Sequence, residues 1–212
     1  RMAAALALPV LILTPKDGLN ADQQAAQRLA IADPRFQRDL FDVTTGSPLR
    51  SEVFGVYPWR ESDLTDATAT CLNGPARCYR VEMYNYAYNA STFATVDVAG
   101  GAVLAVQYLA ATQPDIPASL VALATDIAIH APEVTAALGV KPEAAQAMMA
   151  NTKTALSRSR CERSQHLCVA PTFLAGTRGL WAIVDLTDYR LVGVRWTDMG
   201  QASASQPVTE KS

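Results

Sequence analysis

The sequence predicts an α+β fold of two tandem modules, each a helix packed on an antiparallel meander sheet, and three observations carry that prediction. Half of the 212 residues are apolar and 18% are charged, so there is material for a buried core. Twice along the chain an Ala-rich run with helical spacing is followed by alternating segments of strand character. Landmarks of the first half also recur in the same order in the second. Pro34 and Leu40 match Pro132 and Leu138, 98 positions on. Cys71 and Cys78 enclose six residues, as do Cys161 and Cys168, 90 positions on. Val96-Asp97-Val98 matches Val184-Asp185-Leu186, 88 positions on. Small drifts of this kind belong in loops, and a module of about 100 residues is an ordinary domain size.

Residues 1–14 are a hydrophobic N-terminal segment, AAALALPVLILT from Ala3 to Thr14. Its length suits a signal-peptide core and falls short of the ~20 residues that span a bilayer. Two readings stand: an export or anchor element that contacts the membrane through residues 3–13, or a core strand at Val10–Leu13. The first module covers residues 15–110. Asn20 followed by Ala-Asp-Gln-Gln puts Gln23 where a capping box wants it, so a helix starts there. Ala25, Leu29, Ala32, Phe36 and Leu40 follow at helical spacing, and Pro34 ends or kinks the run. Strands are expected over Tyr79–Tyr88, Ser91–Val98 and Ala102–Leu109, with Gly100-Gly101 turning the last hairpin. Tyr84, Tyr86 and Tyr88 then share one sheet face.

The second module covers residues 111–200, with a helical run at Ala118–Leu138 and strands over Val169–Ala175, Leu180–Leu186 and Leu191–Thr197. An extra helix is expected at Pro142–Leu156, with proline in its first turn. Residues 201–212 read as a polar tail. Thirty residues separate Leu40 from Cys71, against 22 between Leu138 and Cys161. The longer interval, punctuated by Gly46, Gly55 and Pro58, reads as an irregular stretch from Ser47 to Thr70.

The four cysteines admit two readings, disulfides or metal thiolates. A six-residue interval exceeds that of most zinc knuckles, and His130 and His166 are the only histidines available. Disulfides Cys71–Cys78 and Cys161–Cys168 fit better, each stabilising by roughly 2.5 kcal/mol on loop-closure entropy. Such usage places the chain in an oxidising compartment, periplasmic or extracellular.

The pattern of a helix, a proline followed by an apolar residue two positions on and a Leu six positions on (Pro34, Phe36, Leu40; Pro132, Val134, Leu138), and a meander ending in Val96-Asp97-Val98-Ala99-Gly100-Gly101-Ala102-Val103 or Val184-Asp185-Leu186-Thr187-Asp188 resembles the small N-terminal domains of copper amine oxidases. Val56-Tyr57-Pro58-Trp59 echoes a V-x-P-W segment of that family, and the hairpin is similar to that of PepSY-type periplasmic domains. The resemblance covers residues 20–198 and implies two consecutive non-catalytic modules of cystatin-like fold. Paired cysteines are not part of the family pattern, and the catalytic β-sandwich has no counterpart in these residues.

Chemistry is sparse. The amine oxidase cofactor arises from a tyrosine in an Asn-Tyr-Asp/Glu setting with three copper-binding histidines, whereas Asn85-Tyr86-Ala87 lacks the acid and two histidines are too few. There is no G-x-S-x-G elbow, Walker loop, G-x-G-x-x-G or H-E-x-x-H. His130 is expected to bond carbonyls at a helix end, and His166 to lie exposed in the second cysteine loop. Asp97 and Asp185, equivalent beside their hairpin turns, are expected to share a structural role. Asn89-Ala90-Ser91 is a sequon that matters only in a eukaryotic secretory pathway. A formal charge of −2 excludes the positive field that nucleic-acid binding needs.

The function expected is therefore a non-enzymatic, cofactor-free and metal-free exported module that binds another protein, as an accessory or anchoring subunit of a membrane-associated assembly. Its contact residues are expected to be Tyr57, Pro58 and Trp59, since loops on a rigid scaffold carry function and tryptophan is enriched at hot spots. Trp181 and Trp196 are expected in the core. The alternatives are a relative of a copper amine oxidase lacking the catalytic domain, or a cystatin-like or PepSY-like peptidase inhibitor whose wedge would be Val56–Trp59 or the Cys161–Cys168 loop.

Overall fold

A computed structural model describes residues 13–73, 77–149, 159–161 and 165–198. The chain is α+β and divides into two compact units between Pro117 and Ala118. In the first unit, β1 (Leu13–Thr14) pairs parallel with the start of β2 (Ser51–Pro58). The antiparallel run β2, β3 (Cys78–Asn85), β4 (Ala90–Asp97) and β5 (Ala102–Ala110) completes a sheet in sequential order.

Helix α1 (Ala21–Ala32) opens on the expected capping box: the Asn20 side chain accepts the Gln23 amide, and the Gln23 side chain accepts the Asn20 amide. It ends before Pro34, which has no N–H to give to another turn. The Asp33 carbonyl instead takes the Phe36 and Gln37 amides. That turn swings Phe36 and Leu40 under the sheet with Ala26, Ala30 and Leu13, against Val53, Val56, Val81, Met83, Ala94 and Val96. Small alanines let the helix sit close to the strands, and Phe36, fully buried, fills the space beyond the helix end.

In the second unit α2 (Ala118–His130) and α3 (Pro132–Leu138) meet at a 66° bend, with proline starting α3 and Gly139, at φ 76°, closing it. Leu120, Ala124 and Ala128 recur every four residues and turn one face of α2 inward. The helices cover β7 (Cys168–Ala175), β8 (Arg178–Asp185) and β9 (Arg190–Asp198), with β6 (Ala147–Met149) at the far edge of the sheet. Among the described residues no single helix is long and apolar enough to cross a membrane.

The two meanders share details. Register shifts fall between Thr95 and Val96 in one and between Ile183 and Val184 in the other, 88 positions apart. Cys78 opposes Asp97, and Cys168 opposes Asp185. Gly101 (φ 65°) and Tyr189 (φ 54°) hold the same left-handed turn position.

Four expectations are corrected. The stretch from Ser47 to Thr70 is not irregular: it contains β2 and two 3₁₀ helices, Glu61–Asp63 and Asp66–Leu72. Phe54 forms a bulge between Val53 and Gly55, which breaks the alternation that would have marked the strand. The outer end of the Tyr57 ring lies where a Cβ on Gly55 would stand, so glycine leaves room for that ring over the strand. Second, no helix begins at Pro142. The Gln146 amide donates to Thr172 and its side chain accepts the Leu174 amide, drawing residues 147–149 onto the edge of β7. Pairing an exposed sheet edge outweighs the helix propensity of the alanines; residues 150–156 lie outside the described residues.

Third, β3 stops at Asn85, whose side chain takes the Tyr88 amide, and Asn89 turns the chain at φ 47°. Tyr84 and Tyr86 are buried, whereas Tyr88 is exposed on the turn, so the three do not share a sheet face. Fourth, His166 is buried, as described below. Of the N-terminal segment, residues 1–12 lie outside the described residues, and Leu13 is a buried member of the core.

Candidate functional site

Tyr57, Pro58 and Trp59 stand at the end of β2. Tyr57 pairs with Arg80 and Pro58 with Tyr79, and the Trp59 amide donates to the Cys78 carbonyl. Pro58 is exposed between two partly buried aromatics. The Trp59 indole N–H is shielded from solvent and meets no acceptor, as is that of Trp181 in β8. Such donors are uncommon, because a buried N–H without an acceptor costs about 1–3 kcal/mol. Trp181 and Trp196 are partly buried within their strands, Trp196 beneath the Arg178 guanidinium at 4.6 Å.

Next to Tyr57, on the sheet face away from α1, lies a charged cluster that sequence spacing does not reveal. Arg80 bridges two carboxylates, donating to Asp63 at 2.6 Å and to Glu82 at 2.7 and 2.8 Å, and its guanidinium lies 5.3 Å from the Phe93 ring centre. Glu82 is only 3% exposed. Burial pushes its carboxyl above the ordinary carboxylate range, with Asp115 and Asp63 adding to the shift and Arg80 opposing it. Burial likewise raises the Tyr57 phenol, helped by Glu82 and Asp115. Alternation along β3, not used above, is the signal that could have put Arg80 and Glu82 on one face; only the 3₁₀ segment brings Asp63 to them.

The disulfides join Cys71 to Cys78 and Cys161 to Cys168, with Cα separations of 5.8 and 5.6 Å. Inside the second loop His166 is not exposed as expected but 8% accessible. Arg160, which has only donors, approaches its Nε2 at 3.0 Å, so that nitrogen accepts. The proton then sits on Nδ1, which donates to Asp185 at 2.7 Å. The other Asp185 oxygen takes the Thr187 and Asp188 amides. His166, Asp185 and Asp188 are close enough together to hold an ion, but both ring nitrogens are spent and a guanidinium occupies the approach to one of them. The donor set suits a structural lock, not a cation. Cys161 and Cys168, also near Asp185, are oxidised to each other.

Asp97 and Asp185 serve their turns alike, since Asp97 caps its own through the Gly100 amide. His130 bonds the Asp126 carbonyl at 3.0 Å from the exposed end of α2, as its position implied. Asn89 of the sequon is 6% exposed, and its side-chain oxygen accepts from Tyr84 and Gln113, so the side chain is held inside the fold and not presented at the surface. His166 and Leu167 are buried, which removes that half of the second cysteine loop as an inhibitory wedge. Val56–Pro58 lies in a paired strand and forms no projecting loop.

The chain matches no protein-family model and no curated protein. Its two disulfides are the cysteine usage of an oxidising compartment.

Proposed function

We propose that the chain is a non-catalytic, exported scaffold of two tandem cystatin-like modules that binds another protein through Tyr57, Pro58 and Trp59. The observation that carries this reading is the form of that contact. An exposed proline sits between two partly buried aromatics at the end of a paired strand. Rigid aromatics bind at low entropic cost, and tryptophan and tyrosine dominate interface energetics.

Duplication is supported by the matching bulges, disulfides and turn aspartates. The resemblance to the non-catalytic domains of copper amine oxidases favours a role beside an enzyme or membrane assembly. Disulfide usage together with the hydrophobic N-terminal run favours the periplasm as the compartment.

The test is to purify the full chain from native membranes and periplasm, identify what accompanies it, and measure affinity for that protein. Replacing Tyr57 and Trp59 by Ala should weaken the complex by about 2 kcal/mol or more while unfolding stays cooperative. Unchanged affinity in a folded double variant places the contact elsewhere. Oxidation of an amine or hydrolysis of a peptide by the purified chain overturns the non-catalytic reading.

A further inference from the structure

The segment between β2 and β3 leaves and returns at one residue. At its start the Trp59 amide donates to the Cys78 carbonyl, and at its end Cys71 is bonded to the Cys78 sulfur. Between these ties the chain crosses the sheet face away from α1, and its second 3₁₀ helix reaches β5. From Arg60 to Leu72 only Thr68 is buried, and the Thr68 hydroxyl bonds to Asp63 and Thr65 of the same segment. Leu64 and Leu72 are exposed. Among the described residues, one side-chain hydrogen bond holds the middle of the segment to the sheet: that from Arg80 to Asp63.

A segment with so little buried apolar surface gains almost nothing from the hydrophobic term and belongs to the low end of the local stability range. Its disulfide keeps both ends at the sheet, so its middle can lift without the ends departing. Arg80 is not stranded by that movement, since Glu82 continues to bond it.

We propose that residues 60–72 form a strap that opens about Cys78 and loses its own 3₁₀ turns together while the sheet stays folded, with the Arg80–Asp63 ion pair as its latch. When open the strap uncovers the face of the sheet that carries Tyr57, Arg80, Glu82 and Phe93.

Hydrogen exchange of the full, oxidised chain tests this at the amides of Asp63, Leu64 and Thr68 in the strap and of Asn73 just beyond it, each of which donates to a carbonyl inside the strap in the closed form. In Asp63→Asn, exchange there should accelerate by about tenfold, since a partly buried charge-assisted bond is weakened, while residues 78–110 keep wild-type protection. Asp66→Asn, a change in an exposed neighbour outside the latch, should leave the strap as it is. The proposal is overturned if strap exchange in Asp63→Asn equals that of the wild type, if strap and sheet accelerate together, or if Asp66→Asn acts equally. Should Asp63→Asn not fold, the wild type in low denaturant decides. Strap amides must exchange through an opening that leaves β4 protected, and exchange only through global unfolding overturns the strap.

Discussion

Two aspartates that the sequence makes equivalent should differ sharply when removed. Asp185 is 1% exposed and accepts three hydrogen bonds: His166 Nδ1 at 2.7 Å, the Thr187 amide at 2.9 Å and the Asp188 amide at 3.1 Å. Asp97 is half-buried and accepts the Gly100 amide at 2.9 Å. Changing Asp185 to Ala strands a buried ring N–H, which costs about 1–3 kcal/mol, and removes two turn bonds of about 0.5–1.5 kcal/mol each. The second unit should therefore lose roughly 3 kcal/mol or more. Changing Asp97 to Ala exposes one amide that water can satisfy, and the first unit should lose about 1 kcal/mol or less. Calorimetry and urea unfolding of both variants, with each unit's transition followed separately, measure the difference. Equal losses, or a larger loss for Asp97→Ala, refute the claim that His166 locks the second hairpin through Asp185.

Three further outcomes are expected. Replacing Cys161 and Cys168 together by Ala should lower the stability of the second unit by about 2.5 kcal/mol on loop-closure entropy, read from the shift of its urea midpoint at unchanged slope. A raised carboxyl in the fold means that the unfolded chain releases the Glu82 proton first as pH rises, so ionising Glu82 costs stability above its folded value and nothing below its unfolded one. The stability difference between Glu82→Gln and wild type should thus move in favour of the variant as pH rises from below ~4.3, the ordinary glutamate value, toward neutrality; a difference that is flat with pH counts against the buried-carboxylate account. Phe36→Ala should cost the first unit about 3–5 kcal/mol, as expected for a large core ring lost, and a loss below 1 kcal/mol in thermal unfolding would show that the site collapses.

Elements whose signals are local were legible along the chain. The α1 cap at Asn20 and Gln23, the proline breaks at Pro34 and Pro132, the last two strands of each meander and both disulfides followed from spacing and backbone chemistry, which act over a few residues. The equivalence of Asp97 and Asp185 was also legible, because both answer to the turn beside them. Of the candidate contact, the residue types Tyr57, Pro58 and Trp59 could be read from the sequence but not their setting. That Ser51–Pro58 is a strand emerges only in the folded chain, since its bulge at Phe54 and its Gly55 look like loop in one dimension and make sense only against β3 and the Tyr57 ring. Folding also turned Ala147–Met149 from helix into an edge strand, because the free edge of β7 offers partners that no local propensity encodes. It buried His166 against Asp185, 19 residues away, and brought Asp63 to Arg80, 17 residues away. The physical reason is common to all four. Hydrogen bonds and ion pairs between distant residues are set by which surfaces the folded chain brings together, and a sequence read in short windows carries no record of that.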